Sequence, residues 1–326
     1  MAIVVVTDHV FPDLEVEQRL LTEAGHELRY EGDLRDAGAL RAALSHADAV
    51  LNCYVPIPAD LLAGLERCRI IARYGIGLDT LDVSVATEHG ILVTNVPDYC
   101  IDEVSDHALA LIMSLARGVV RLDRSVRDGS WSPMVARPLH RIRGRTLGLL
   151  GFGRIARALA AKGQALGYRV ISFDPYVPAV AMTEVGVEAG TMEEVLGGSD
   201  VVSIHVPLTD ETHHLIGADA LARMRPDAVL VNTSRGPLVD LEALRVALAE
   251  GRLGGAALDV LDPEPPAADD PLLHRDDVVI TPHAAFYSEE ALAELQRKAV
   301  EQVVAALAGE TPPYLVNPEA MAGGAR

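Results

Sequence analysis

Cysteine is scarce in this chain, positive charge is outnumbered, and no hydrophobic run is long enough to cross a bilayer. Its 326 residues include three cysteines, Cys53, Cys68 and Cys100. The odd count and the absence of any CxxC pair argue against a disulfide framework or a structural zinc site and fit a reducing compartment. Lys and Arg number 28 against 47 Asp and Glu, a formal charge of −19. A protein this acidic is repelled by phosphate backbones and anionic lipid, which excludes nucleic acid and membrane as default partners. The longest apolar helix candidate, around His107 to Val120, is interrupted by Arg117, so no membrane span is expected. The opening residues Met1 to Val6 are too short and lack the basic flank of a signal peptide, and a cytoplasmic protein is expected. There is no repeat of solenoid period and no low-complexity linker; Pro263–Pro271 is the only Pro/acid-rich patch.

What is present is an apolar chain, 49% hydrophobic, far above the range of acidic disordered sequences. The length predicts two domains. Short β-branched runs (Ile3–Val6, Ala49–Asn52, Ile70–Ala72, Ile91–Thr94, Thr146–Leu150, Arg169–Phe173, Val201–His205, Val229–Asn232, Ala256–Asp259 and Val278–Thr281) alternate with Ala- and Leu-rich amphipathic stretches. Continuous apolar strands with helical crossovers predict an α/β fold with parallel, doubly wound sheets. Ile101–Asp128 reads as the longest uninterrupted helix, and Ser288–Leu307 as another, with acids at both starts. Two long helices flanking a compact block predict that residues 100–286 form a domain nested within one made of 1–99 and 287–326.

Residues 146–156 run from a strand through a glycine turn into a helix, with Gly151, Gly153 and Ala156 in the GxGxxG/A frame. Gly151 permits the tight turn, Gly153 lets the backbone approach a pyrophosphate, and Ala156 lets helix and strand pack closely. Asp174 ends the next strand, 23 residues after Gly151, where a carboxylate binds a ribose diol and repels a 2′-phosphate. No Lys or Arg lies between Arg169 and Arg223, so NAD is expected over NADP.

Arg235, Glu264 and His283 sit at strand ends or in the loops that follow, where α/β proteins place their chemistry. Hydride transfer to a 2-oxo acid needs a carboxylate clamp, a proton donor for the nascent alkoxide, and a group that stabilises that donor's charged form. Arginine, histidine and a carboxylate suit these tasks, although residue types alone do not assign them. For Glu264 the alternative is a solvated turn carboxylate, which its place between Arg235 and His283 disfavours, whereas Arg73 reads nearly as well as a surface ion pair. His213 and His214 read as surface or hinge-loop residues rather than metal ligands, and no metal is expected. The cysteines read as small core or pocket residues, and Trp131 as a packing anchor in the loop after the long helix.

Residues 73–79 (RYGIGLD), the glycine turn with Asp174, Val206-Pro207-Leu208 through Ile216, and the segments 232–240, 256–265 and 281–285 resemble, in order and over nearly the full chain, the NAD-dependent D-2-hydroxyacid dehydrogenase family. The resemblance implies a dinucleotide-binding Rossmann domain (100–286) inserted in a flavodoxin-like substrate domain, dimerising through the former. It implies catalysis by Arg235, Glu264 and His283, with Arg235 as clamp and His283 as acid–base, and closure of the domains over the cofactor. It further implies cofactor contacts from Gly151, Gly153, Arg154, Ile155, Asp174, His205, Pro207, Thr212, Thr233, Asp259, His283 and Ala285. Substrate contacts are implied for Tyr54, Val55, Arg73, Ile76, Gly77, Arg235 and Phe286. Residues 281–290 are most similar to the branch containing the C-terminal-binding-protein corepressors, which carry Trp where this chain has Phe286. A small-molecule 2-oxo or 2-hydroxy acid is therefore the expected partner. The alternatives are a phosphoglycerate-type or phosphonate substrate, for which Arg73 could supply a cation, and an NAD-responsive scaffold that needs no turnover. With 43 residues after His283, no regulatory domain is expected. Glu264, where a formate dehydrogenase resembles a Gln–His pair, disfavours that activity.

Overall fold

The computed structural model describes residues 1–323 and divides the chain into two compact units. One comprises Met1–Cys100 together with the chain from Ser288 onward; the other is Ile101–Tyr287.

The first unit begins β1 (Ile3–Val6), α1 (Glu15–Glu23), β2 (Glu27–Arg29), α2 (Ala37–Leu44), β3 (Ala49–Asn52), α3 (Ala59–Ala63), β4 (Ile70–Arg73), α4 (Val83–Glu88) and β5 (Leu92–Thr94). Its strands form one parallel sheet in the order β2-β1-β3-β4-β5. Residues of β3 and β4 are buried on both faces, which is why they read as unbroken apolar runs. The edge strand β2, with the sequence Glu-Leu-Arg, carried no such signal because an edge needs no apolar alternation.

The second unit holds α5 (Ile101–Arg117), α6 (Val119–Arg127), β6 (Thr146–Leu150), α7 (Arg154–Ala165), β7 (Arg169–Phe173), α8 (Ala179–Thr183), β8 (Glu188–Ala189), α9 (Met192–Gly198), β9 (Val201–Ile204), α10 (Ala218–Arg223), β10 (Val229–Asn232), α11 (Leu241–Ala249), β11 (Gly255–Leu258) and β12 (Val278–Ile280). Its sheet is also parallel, in the order β12-β11-β10-β9-β6-β7-β8. The order reverses beside β6, the switch point at which doubly wound sheets bind ligands. A two-residue β8 was again too short and exposed to be read from sequence.

Two expectations fail here. The stretch 101–128 is not one helix: Gly118, at φ +61°, stands in the left-handed region and separates α5 from α6. Trp131 is no packing anchor. It is 88% exposed, as are in part Met134 and the valines Val119, Val120 and Val126, and α6 buries none of its residues.

The chain returns to the first unit in α12 (Glu289–Leu307), where the Ser288 hydroxyl accepts the N–H of Ala291 as an N-cap. Leu292, Leu295, Ala299 and Val303 repeat at helical spacing along its buried face. Its last carbonyls, Ala306 and Leu307, accept from the Arg69 guanidinium at 2.8 and 3.1 Å. The three cysteines are buried, as expected, and are not joined in disulfides. No helix among the described residues is long and apolar enough to cross a membrane.

Candidate active site

Parallel register brings the second unit's functional residues to one edge. Leu150 pairs with Phe173 and Ile204, Ile204 with Asn232, Asn232 with Leu258, and Leu258 with Ile280. The next residue of each strand is therefore Gly151, Asp174, His205, Thr233, Asp259 or Thr281, one row along the carboxyl ends. Neighbouring strands lie about 4.8 Å apart, so residues distant in sequence become near neighbours.

At β6 the chain turns sharply. Gly151 has φ +94°, and a Cβ there would lie 2.7 Å from the carbonyl oxygen of His205. The Phe152 N–H donates to Asp174 Oδ2 at 2.8 Å, and the Tyr176 N–H to Oδ1 at 2.8 Å, which holds the carboxylate beside the turn. Gly153 caps α7 without a side-chain bond, and nothing crowds its missing Cβ, so the helix N-terminus is open to an anion. Arg154 is exposed at the helix's first turn and Ile155 is half-buried. Thr233 is buried, and its Oγ1 has no hydrogen-bond partner. A bound group that offers a polar atom there would satisfy it. These features fit a dinucleotide: Gly151, Gly153 and Arg154 at a pyrophosphate, and Asp174 at a ribose.

His205 lies beside the turn with its Nε2 2.9 Å from Ser203 Oγ, and burial pulls it down to about 4, so it is neutral at physiological pH. Thr212 closes the loop after β9 by donating to the Pro207 carbonyl at 2.7 Å. His213 and His214 are exposed and stacked, and no group of three potential metal ligands occurs among the described residues.

The loops after β10, β11 and β12 hold Arg235, Glu264 and His283. Asn232 Nδ2 donates to the Arg235 carbonyl at 2.7 Å, fixing the backbone that launches the guanidinium. Glu264 Oε1 accepts the Leu261 N–H at 3.0 Å, and its Oε2 lies 2.8 Å from His283 Nδ1. The alternative of a merely solvated turn carboxylate does not describe Glu264. The contact to Glu264 is made through Nδ1, so the second ring nitrogen, Nε2, lies on the opposite side of the imidazole. The Phe286 ring packs edge-on to this imidazole, 6.2 Å between centroids.

Asp259, only 2% exposed, lies behind them. Its carboxylate accepts the N–H groups of Ala284 and Ala285 at 2.9 Å each and the Thr281 hydroxyl. Burial opposes its charge, but bonds from His107, Thr281, Ala284 and Ala285 outweigh that and hold the carboxyl below the usual range. Asp259 thus supports the His283 loop, a role that sequence position did not convey.

In the first unit, Arg73 ends β4 and is buried, and its Nε has no hydrogen-bond partner. It is not the surface ion pair that sequence left open. Its guanidinium lies 5.9 Å from the Tyr54 ring centroid. Ile76 and Gly77 follow in a half-buried loop, with the Ile76 carbonyl accepting from Asn95 Nδ2 at 2.7 Å. Sequence reasoning missed Asp8. Its buried carboxylate accepts the N–H groups of Cys53, Tyr54 and Val55 at 3.0, 2.6 and 3.1 Å and so shapes the loop bearing Tyr54 and Val55. An acid just past a strand end was the only available signal.

The model of the D-isomer specific 2-hydroxyacid dehydrogenase NAD-binding domain matches residues 109–285. A glyoxylate reductase of Korarchaeum cryptofilum is 44% identical over 268 residues, 81% of this chain and 80% of that protein. A D-3-phosphoglycerate dehydrogenase of Mycobacterium tuberculosis is 38% identical over 283 residues, 86% of this chain and about half (53%) of that protein. The structure of D-lactate dehydrogenase from Aquifex aeolicus, complexed with NAD and lactic acid, superposes with a TM-score of 0.87 at 28% identity, covering 97% of this chain and 99% of that one.

Proposed function

The chain belongs to the D-isomer specific 2-hydroxyacid dehydrogenase family, and from that premise we propose that Arg235, Glu264 and His283 carry the reaction of an NAD-dependent oxidoreductase on a small 2-oxo acid. The observation that carries this reading is the 2.8 Å contact between His283 Nδ1 and Glu264 Oε2. With the Nδ1 proton hydrogen-bonded to the carboxylate, Nε2 is the nitrogen that gives a proton to the substrate oxygen during reduction and takes it back during oxidation. Glu264 orients the ring through this bond. Arg235 presents a planar fork to the substrate carboxylate and polarises the adjoining carbonyl.

When bound, NADH supplies the hydride. The residues that hold it are Gly151, Gly153, Arg154, Ile155, Asp174, His205, Pro207, Thr212, Thr233, Asp259 and Ala285. Neutral His205 and the carboxylate of Asp174 suit the adenosine side, and the unmet Thr233 hydroxyl suits a polar group of the cofactor. On the substrate side we assign Tyr54, Val55, Arg73, Ile76, Gly77 and Phe286. Glyoxylate is the proposed substrate class, supported by the glyoxylate reductases among the relatives. A second reading, a phosphorylated acid, is supported by the buried Arg73 with its unmet Nε and by the phosphoglycerate dehydrogenase relatives.

We further propose a homodimer formed through the NAD-binding unit. The exposed Trp131, Met134, Val119, Val120 and Val126 support it, because apolar surface clustered in one segment favours a partner. The buried thiols suit the cytoplasm. A screen of 2-oxo acids (glyoxylate, pyruvate, hydroxypyruvate and phosphorylated acids) against NADH oxidation tests the substrate. Turnover fastest with glyoxylate is expected, and no turnover with any acid overturns the reading.

A further inference from the structure

His283 occupies a backbone conformation that few non-glycine residues adopt, with φ +52°. Such a conformation persists only where the surroundings over-determine it. Here the His283 N–H donates to the Asp259 carbonyl at 2.7 Å, and the next two N–H groups donate to the Asp259 carboxylate. The same carboxylate takes the hydroxyl proton of Thr281. A threonine hydroxyl has one proton, so once that proton is given to Asp259 its oxygen can only accept from a further neighbour. That neighbour is His107 on α5, with Nε2 2.9 Å from Thr281 Oγ1 and 3.4 Å from Asp259 Oδ1. The geometry therefore fixes the His107 tautomer: Nε2 carries a proton and points at the Thr281–Asp259 pair.

We propose that His107 is a positioning residue. It ties helix α5 to Thr281 and Asp259, and through them it holds the His283 ring where a proton can be transferred. It acts only through these groups, and the inference rests on the assignment of proton transfer to His283. The chain of bonds is continuous within one unit, from a rigid helix through a buried carboxylate to the strained residue. His107 is three-quarters buried at its side chain, a costly place for a polar ring unless the ring is hydrogen-bonded.

The test compares full-length His107→Leu, which fills the space without a donor, with His107→Gln, which restores an N–H donor at similar reach. Thr281→Val, the double variant His107→Leu/Thr281→Val and His283→Ala run in parallel. Reduction of the best 2-oxo acid of the screen gives kcat and KM, and NADH fluorescence gives Kd. We expect His107→Leu to lower kcat about tenfold with NADH Kd within about twofold, and His107→Gln to recover to within about threefold of the parent. The double variant should be no slower than the slower single, because both break one chain of bonds. Parental kcat in His107→Leu, an equal loss in NADH affinity, no recovery with Gln, or effects that multiply would each overturn the proposal. If His107→Leu does not fold, Thr281→Val decides: parental kcat there overturns it. An active His283→Ala would instead refute the role of His283 itself, whereas an inactive one beside an unimpaired His107→Leu would sink only this inference.

Discussion

Replacing Glu264 by Gln removes the charge but keeps an acceptor for the His283 ring. The amide oxygen still accepts the Nδ1 proton of His283, and a bond like the present 2.8 Å contact survives, whereas the amide NH2 cannot replace Oε1 as acceptor of the Leu261 N–H. The loss that bears on the ring is the negative charge beside it. A hydrogen bond to a charged group contributes about 1.5–3 kcal/mol. The Glu264 and His283 side chains are 37% and 22% exposed, and solvent screening lowers the charge-dependent part to about 1 kcal/mol. At about 1.4 kcal/mol per factor of ten, kcat should fall about fivefold in Glu264→Gln. Glu264→Ala also removes the bond to Nδ1 and frees the ring to rotate, so a fall of about a hundredfold is expected. Steady-state reduction at saturating NADH reads both, and the KM for NADH should stay within about threefold because Glu264 holds the ring rather than the cofactor. If Gln is as slow as Ala, geometry is not preserved; if both run at the parental rate, Glu264 has no part in the reaction.

Other expectations follow from single residues. Asp174→Ser should raise the KM for NADH about tenfold and narrow the preference over NADPH, as measured by kcat/KM with each; an unchanged ratio would contradict the ribose assignment. His205 is pulled down to about 4 in the folded chain from an ordinary 6.5. The unfolded chain takes up that proton first, so stability is full above pH 6.5 and falls as pH drops toward 4, by at most about 3 kcal/mol. Urea titrations of the parent and His205→Asn across that window should show a flatter slope in the variant, and equal slopes would refute it. Trp131→Ser removes about 200 Å² of exposed apolar surface and should weaken self-association at least tenfold in sedimentation. An unchanged dimer would remove this face from consideration.

The sheets were legible because their central strands are buried on both faces. Val201–Ile204 and Val229–Asn232 are β-branched runs that admit little else. Edge strands such as Glu27–Arg29 carry no pattern because none of their residues is fully buried. The break at Gly118 was obscured by good helix formers on both sides, and the exposure of Trp131 runs against the usual burial of a lone aromatic residue. In the site, Gly151, Asp174 and His283 stood out because their surroundings in sequence are distinctive. Asp8 and His107 did not. Their partners, at Cys53–Val55 and Thr281, are brought to them by the fold alone.

The central claim is that His283 delivers the proton to the reduced substrate. The most direct measurement is a stopped-flow single turnover of His283→Ala, preloaded with NADH and mixed with glyoxylate, read as loss of NADH fluorescence. General acid catalysis contributes about 10²–10⁴ in rate. Decay about a thousandfold slower than the parent, with NADH Kd within about threefold, is predicted; decay at the parental rate would contradict the account.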